Sequence, residues 1–181
     1  GLDTILSDND SLLLGEDIED PYGGAFKITK GLSTKYKNQV INFPISEQLL
    51  VGVGLGLAIS SRKTIVEIMF ADFLSLAYDQ ILNQLANFQV LSGIDRIPLL
   101  IRTANGSGRG YGPTHSQHME NYFLNIEGVN SILPHHLMNH EKLITTIFKK
   151  LNHPTILFEN KLLYSYRRDS KNLERAKCGR I

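Results

Sequence analysis

Residues 64–103, TIVEIMFADFLSLAYDQILNQLANFQVLSGIDRIPLLIRT, decide the fold. The two ends of this segment, residues 64–70 and 97–103, are nearly continuous apolar runs of strand length. Residues 73–89 between them have the spacing of a long amphipathic helix. Two strands joined by a helix of this length imply a parallel crossover, and strands this apolar are typical of a parallel sheet covered on both faces.

The same alternation continues on both sides of this segment. Further strands are predicted at residues 11–14, 39–41, 130–133 and 155–158, and further helices at residues 29–36, 46–61 and 138–151. The sequence therefore predicts an α/β fold, a three-layer α/β/α domain with a mostly parallel sheet over residues 1–164. Residues 165–181 are polar and basic, and we interpret them as a solvated tail or linker, with a binding arm as the alternative. Functional groups are expected on loops at the carboxyl ends of the strands.

Composition excludes several classes of protein. The chain has 181 residues, of which 42% are apolar and 20% are charged, as is typical of one globular domain. A formal net charge of +1 gives no indication of nucleic acid or of an acidic membrane as a partner. Cys178 is the single cysteine, so no internal disulfide can form and a reducing compartment is expected. The sequence contains no run of about 18 or more apolar residues, the length that a membrane span needs.

Glu47 is the first candidate for chemistry. It follows FPIS at the point where a loop enters an apolar helix, and residues 49–56 after it carry no charge. A carboxyl group there would be poorly solvated and able to hold or share a proton near neutral pH. The alternative is an ordinary first-turn glutamate that favours the helix dipole.

Two glycine-rich segments give weaker signals. Gly52, Gly54 and Gly56 alternate within the predicted helix, but the spacing is not that of a dinucleotide-binding loop. Glycine lowers the stability of a helix, so three glycines here suggest that another backbone packs closely against this helix, within the fold or at a subunit interface. The loop at residues 105–113 follows a strand and could cradle phosphate, although it lacks the Walker sequence; a mobile turn-rich loop is the alternative.

His115, directly after this loop, is a candidate general acid or hydrogen-bond donor, with a structural role left open. The histidine pairs His115/His118 and His136/His140 lack the accompanying ligands of a zinc site, so no metal site is predicted. The sequence also lacks the G-x-S-x-G turn of a serine hydrolase.

Six ordered blocks resemble one family, the beta subunit of the thiamine-diphosphate-dependent 2-oxoacid dehydrogenases of pyruvate, branched-chain 2-oxoacids and acetoin. The match runs nearly colinearly from Leu12 to Tyr164. The blocks are LLLGEDI (12–18), YGGAFKITKGL (22–32), FPISE (43–47), VEIMFADF (66–73), YDQILNQ (78–84) and GRGYGPTHSQ (108–117).

The resemblance implies a transketolase-like pyrimidine-binding domain whose cofactor, thiamine diphosphate, lies between two chains. An alpha-type subunit would hold the diphosphate through magnesium, since this chain lacks the family's magnesium signature. A second beta chain would complete a heterotetramer, and a lipoyl acyltransferase core is a further possible partner. The implied function is oxidative decarboxylation of a 2-oxoacid with acyl transfer to lipoamide.

The resemblance also assigns site residues. Glu47 matches the glutamate that shares a proton with N1′ of the aminopyrimidine ring and so activates the cofactor. His115 matches the histidine that faces the substrate carbonyl. The further residues that the resemblance places at the cofactor are Glu16, Ile45, Ser46, Met69 and Phe73. Alternatively, Glu16 is an ordinary carboxylate of a loop, and Met69 and Phe73 are ordinary residues of the hydrophobic core.

Some features depart from the family. Leu151 occupies the position of an aspartate that holds potassium in many members, so a potassium site is doubtful. Family beta chains continue into a second domain, and we expect this chain to be a fragment, a split protein or a degenerate relative. Alternatives for function are a transketolase-like or acyloin-forming component and a non-catalytic assembly domain. The expected compartment is the cytoplasm, or the mitochondrial matrix in a eukaryote.

Overall fold

The computed structural model describes residues 1–165, so the predicted tail lies outside the described residues except for its first residue. The strands are β1 Ser11–Glu16, β2 Val40–Phe43, β3 Lys63–Ile68, β4 Leu99–Asn105, β5 Asn130–Ile132 and β6 Thr155–Asn160. The α-helices are α1 Leu2–Leu6, α2 Leu32–Lys35, α3 Glu47–Ile59, α4 Ala86–Ser92 and α5 His140–Lys149. Short 3-10 helices cover Ala71–Ala77, Pro113–His115, Glu120–Tyr122 and Lys161–Ser165, and a π-helix covers Gln80–Leu85.

All six strands form one parallel sheet in the order β2-β1-β3-β4-β6-β5. Val66 of β3 pairs with Leu14 of β1 on one side and with Ile101 of β4 on the other. The predicted three-layer α/β fold is confirmed, because each face of this sheet carries its own core. One core joins the sheet to α3 and α4, and the other joins it to α1 and α5.

The predicted end of the first strand is wrong. The sequence suggested that β1 stops at Gly15, but the strand continues to Glu16. A side chain at Gly15 would lie 3.2 Å from the Cβ atom of Glu67 and 2.7 Å from Cγ2 of Ile18. Glycine therefore permits close packing here instead of ending the strand, and this extension places Glu16 in a buried position.

The continuous helix predicted over residues 73–89 is also wrong in form. The chain runs through the 3-10 helix Ala71–Ala77 and the π-helix Gln80–Leu85 before α4 begins. The predicted apolar face is nevertheless buried, since Leu74, Ile81 and Leu85 are fully inaccessible. The spacing of apolar residues predicted which face is buried, but it did not predict the number of residues per helical turn.

Two glycines of α3 allow a test of this packing. A Cβ atom at Gly54 would lie 2.7 Å from Cγ2 of Val66 and 3.0 Å from Cδ1 of Leu99, whereas one at Gly56 would have no neighbour within 4 Å. Alanine raises helix propensity equally at both positions, by about 1 kcal/mol. We expect Gly54→Ala to be less stable than Gly56→Ala by about 1–3 kcal/mol, the cost of overpacking. Urea unfolding of both variants measures this difference, and equal stabilities would contradict the packing of α3 on the sheet.

No helix within residues 1–165 has the length and apolar character needed to cross a bilayer.

Candidate active site

The candidate residues collect at one edge of the sheet, where the parallel strands end. Glu16 closes β1, Met69 follows β3, and Lys161 follows β6. The glycine-rich loop that leads to His115 follows β4. The carboxyl edge of a parallel sheet is where α/β proteins bind ligands, and the chain brings its charged and aromatic groups to that edge.

Glu16, Ser46 and Glu47 form one cluster at the start of α3. The carboxylate of Glu16 accepts the backbone N–H of Ser46 with an N···O distance of 2.9 Å. Ser46 is the N-cap of α3, and its Oγ atom accepts the N–H of Leu49 at 3.3 Å. Glu47 follows as the first helical residue, so the cap fixes the backbone from which its carboxyl group projects.

The Glu47 side chain lies buried next to this cap. Only 4% of the residue is exposed, and no donor within the described part of the chain makes a hydrogen bond with its carboxyl group. A buried carboxyl group normally has a partner. Within residues 1–165 this carboxyl group has no such partner, so it is a candidate to bind a group from outside the described part of the chain.

The pKa of Glu16 is raised to about 7, mainly by burial and also by the nearby charges of Glu47 and Asp17. The hydrogen bond from the Ser46 N–H opposes this shift, because it stabilises the carboxylate. Between its ordinary value of 4.5 and about 7, the folded chain therefore binds more protons at Glu16 than the unfolded chain does. Stability contributed by this group falls as pH rises through that window.

We expect Glu16→Gln to remove this pH-dependent loss, because glutamine keeps an oxygen for the Ser46 N–H and carries no charge. The variant should gain unfolding temperature over the wild type between pH 5 and pH 7, and the gain should level off above about pH 7. Thermal unfolding of both proteins across this range measures the gain. Parallel curves would show that Glu16 is not perturbed by its surroundings.

His115 lies against two phenylalanines at the same edge of the sheet. Its ring centroid lies 4.8 Å from that of Phe70 and 5.1 Å from that of Phe73, and both rings are nearly perpendicular to the imidazole. Thr114 Oγ1 lies 2.9 Å from its Nδ1 atom. The structure thus brings the predicted residues His115 and Phe73 together, and both contact Phe70.

Two predicted residues have other surroundings. Ile45 is 74% exposed, so its side chain is available to a partner molecule and makes little contact within the chain. Met69 lines a small internal cavity with Phe26, Arg102 and Tyr164. The assigned contacts of both residues with a pyrimidine ring stay predictions.

The glycine-rich loop takes its shape from alternate glycines. Gly106, Gly108, Gly110 and Gly112 all have positive φ angles, between 74° and 91°. Gly106 packs against His118 and Gly108 packs against Leu162. A Cβ atom at either glycine would lie within about 3.3 Å of these side chains. The loop thus returns the chain from β4 toward His115.

Sequence reasoning missed two groups of buried charges beside this site. Lys161 and Asp72 are 1% and 5% exposed and contact the backbone around His115. The Arg102 guanidinium on β4 donates to the carboxylates of both Glu67 and Glu159. Glu67, Arg102 and Lys161 lie at or near the ends of parallel strands, where function is expected, but the sequence gives no sign that their charges are buried.

Within residues 1–165, no three histidine, cysteine or acidic side chains come close enough to hold a metal ion.

Comparison with known proteins decides the family. The model of the transketolase pyrimidine-binding domain matches residues 3–167. This chain belongs to the transketolase pyrimidine-binding family. Its match to the pyruvate dehydrogenase E1 beta subunit of Gracilaria tenuistipitata var. liui has 37% identity and covers 93% of the chain and 52% of that relative. The mitochondrial 2-oxoisovalerate dehydrogenase subunit beta 2 of Arabidopsis thaliana is 36% identical over 87% of the chain and 44% of that relative.

The predicted resemblance to beta subunits of 2-oxoacid dehydrogenases is therefore confirmed. The chain spans about half the length of the curated relatives that it matches. A solved structure titled as a split-gene transketolase, an inactive beta4 tetramer, superposes with a TM-score of 0.65 at 15% identity. The superposed region covers 87% of this chain and 46% of the transketolase chain. At this identity the match supports the pyrimidine-binding fold alone.

Proposed function

We propose that this member of the transketolase pyrimidine-binding family is the beta-type component of a heteromeric 2-oxoacid dehydrogenase. Its task would be to activate thiamine diphosphate for oxidative decarboxylation of a 2-oxoacid, with acyl transfer to lipoamide. The observation that carries the proposal is Glu47, a buried carboxyl group at a helix start without a donor among the described residues. The similarity to pyruvate and 2-oxoisovalerate dehydrogenase beta subunits supports the substrate class.

In this proposal Glu47 holds and exchanges the proton at N1′ of the aminopyrimidine. A carboxyl group that is largely shielded from water is suited to this task, because little water competes for its hydrogen bond with the ring. Thiamine diphosphate, when bound, supplies the thiazolium carbon that reacts with the 2-oxoacid. Glu16, Ile45 and Ser46 would border the ring from the Glu47 side, and Phe73 and Met69 would border it from the end of β3.

His115 would act on the substrate side of the site. The residue is partly exposed, and its ring makes edge-to-face contacts with Phe70 and Phe73. An imidazole held in this way can donate a hydrogen bond or a proton to the substrate carbonyl oxygen. In this proposal the apolar rings of Phe70 and Phe73 would restrict water around the imidazole.

The surface around the start of α3 supports a partner chain. Ile45 and Leu49 are 74% and 45% exposed. A groove beside them is lined by Ser46, Gly52, Val53 and Gln80. Exposed apolar groups of this kind next to a half-formed site are typical of a subunit interface. We propose that an alpha-type subunit covers them and holds the diphosphate through magnesium, and that a second beta chain completes a heterotetramer.

Other parts of the assembly rest on the family resemblance alone. A lipoyl acyltransferase core would receive the acyl group. The side chain of Leu151 is buried and offers no ligating oxygen, which argues against a potassium ion at that position. The proposed compartment is the cytoplasm, or the mitochondrial matrix in a eukaryote. The names of some relatives place those proteins in chloroplasts or mitochondria.

Reconstitution tests the proposal. The chain is co-expressed with an alpha-type chain that carries the magnesium signature, and decarboxylation of pyruvate and of branched 2-oxoacids is measured with an artificial electron acceptor. We expect turnover that requires both chains and thiamine diphosphate. Acyloin or ketose formation without acceptor reduction would favour the transketolase-like alternative. A stable complex without turnover of any of these substrates would favour an assembly domain and contradict the proposal.

A further inference from the structure

Lys161 is a buried cation that the proposed chemistry does not use. It directly follows β6, and only 1% of the residue is exposed. Its Nζ atom donates to the backbone carbonyl oxygen of His115 and lies 5.1 Å from the ring centroid of Phe70. Burial lowers its pKa, and the negative charge of Asp72 partly opposes that shift. An ammonium group is rarely buried without a specific partner, and here its hydrogen-bond partner is the backbone of His115.

Asp72 anchors the same segment from another element. It belongs to the 3-10 helix after β3 and is 5% exposed. Its Oδ1 atom accepts the backbone N–H of Gln117 at 3.1 Å, and its Oδ2 atom has no partner in the described part of the chain. Two buried groups of opposite charge therefore hold backbone groups two residues apart, the carbonyl of His115 and the N–H of Gln117.

His115 needs such anchors because the chain before it is loosely packed. A side chain at Gly110 or Gly112 would meet nothing within 4 Å, so this part of the loop lies in open space. The 3-10 turn Pro113–His115 is only three residues long. A misplacement of about 1 Å can cost about 100-fold in rate, so fixing the backbone of a reacting residue has a direct catalytic consequence.

We propose that Lys161 and Asp72 are positioning residues that anchor the backbone on either side of His115 and hold its imidazole against Phe70 and Phe73. The proposal rests on the proposed function for its catalytic consequence. Lys161 also places its charge by the ring of Phe70, whose ring contacts the imidazole. The Lys161 side chain therefore contacts both the backbone of His115 and the Phe70 ring that packs against the imidazole.

A structural role and a positioning role predict different results for a paired substitution. Lys161→Met removes the donor and leaves Asp72 as a buried charge without its counter-charge, which destabilises a fold. In the double variant Lys161→Met/Asp72→Asn, the uncompensated charge is gone and asparagine still accepts the Gln117 N–H. If Lys161 only balances charge, the double variant should recover both stability and turnover. If Lys161 positions His115, stability should recover and turnover should not.

The test uses both variants and the control Lys149→Met, which removes an exposed lysine of α5. In the reconstituted complex, we expect turnover of both variants to fall at least about tenfold, with thiamine diphosphate affinity unchanged because Glu16 and Glu47 are untouched. In the whole 181-residue chain, the NMR order parameter of the His115 N–H should fall from about 0.85 to below 0.6. The order parameter of Ile101, in the centre of the sheet, should stay at its wild-type value.

Wild-type turnover in the double variant would overturn the proposal, as would an unchanged order parameter at His115. An equal loss of order at Ile101 would also overturn it, since that result describes general loosening. If the wild-type complex itself decarboxylates no 2-oxoacid, the proposed function fails, whereas the order parameters still decide whether Lys161 anchors His115.

Discussion

Replacing Glu47 with glutamine should abolish most of the decarboxylation activity of the reconstituted complex, lowering turnover by about 10²- to 10⁴-fold. Glutamine has nearly the size of glutamate, but it cannot hold and exchange a proton at N1′. Because the wild-type carboxyl group is buried without a donor in the described residues, the substitution should not lower the unfolding temperature. The measurement is steady-state turnover with saturating 2-oxoacid and cofactor, together with thermal unfolding of the same samples.

Glu127→Gln is the matched control for this experiment. Glu127 is an exposed glutamate outside the site, so the same chemical change there should leave turnover at the wild-type value. A Glu47→Gln complex that decarboxylates at the wild-type rate would remove Glu47 from the mechanism. A loss of turnover accompanied by a similar loss in Glu127→Gln would show that the assay responds to charge in general.

Replacing Arg102 with methionine should cost about 3–5 kcal/mol of folding free energy, the largest effect on stability that we expect from one substitution. Arg102 is 3% exposed and donates to the carboxylates of Glu67 on β3 and Glu159 on β6. Tyr164 donates a further hydrogen bond to Glu159 at 2.7 Å. Without the guanidinium group, two carboxyl groups remain buried together with no cation between them.

The pH dependence of this loss separates electrostatics from packing. Burial raises the pKa of Glu67, although the charge of Arg102 opposes the shift. In the variant that opposition is gone, so Glu67 should take up a proton more readily and the loss should shrink as pH falls from 8 to 5. Urea unfolding at both pH values measures the difference. The control Arg96→Met changes an exposed arginine and should stay within about 0.5 kcal/mol of the wild type. A loss for Arg102→Met that is equal at both pH values would contradict the charge account.

Much of the fold could be predicted from the apolar runs of the sequence, because buried parallel strands have a strong apolar signal. The runs predicted at 97–103 and 155–158 became β4 and β6 with small changes at their ends. The change to 3-10 and π turns after β3 could not be predicted, because each stretch is only six or seven residues long and the apolar spacing over so few residues does not define the number of residues per turn. The continuation of β1 through Gly15 depended on the close approach of Glu67, a contact between strands far apart in the sequence.

The candidate site was only partly visible in the sequence. Glu47 attracted attention because no charged residue follows it in the helix, and the structure confirms that it is buried. The roles of Lys161 and Asp72 were not visible, because each is an ordinary charged residue until folding places both beside the His115 backbone. Burial of a charge is a property of tertiary packing, and a single sequence reports it poorly.

The central claim, that this chain supplies the pyrimidine half of a cofactor site completed by another subunit, can be tested most directly by calorimetric titration. Thiamine diphosphate with magnesium is titrated into this chain alone, into the alpha-type chain alone and into the complex of the two. The account predicts tight binding of the cofactor by the complex, and weak binding by each chain alone. Tight magnesium-dependent binding by this chain alone would contradict it.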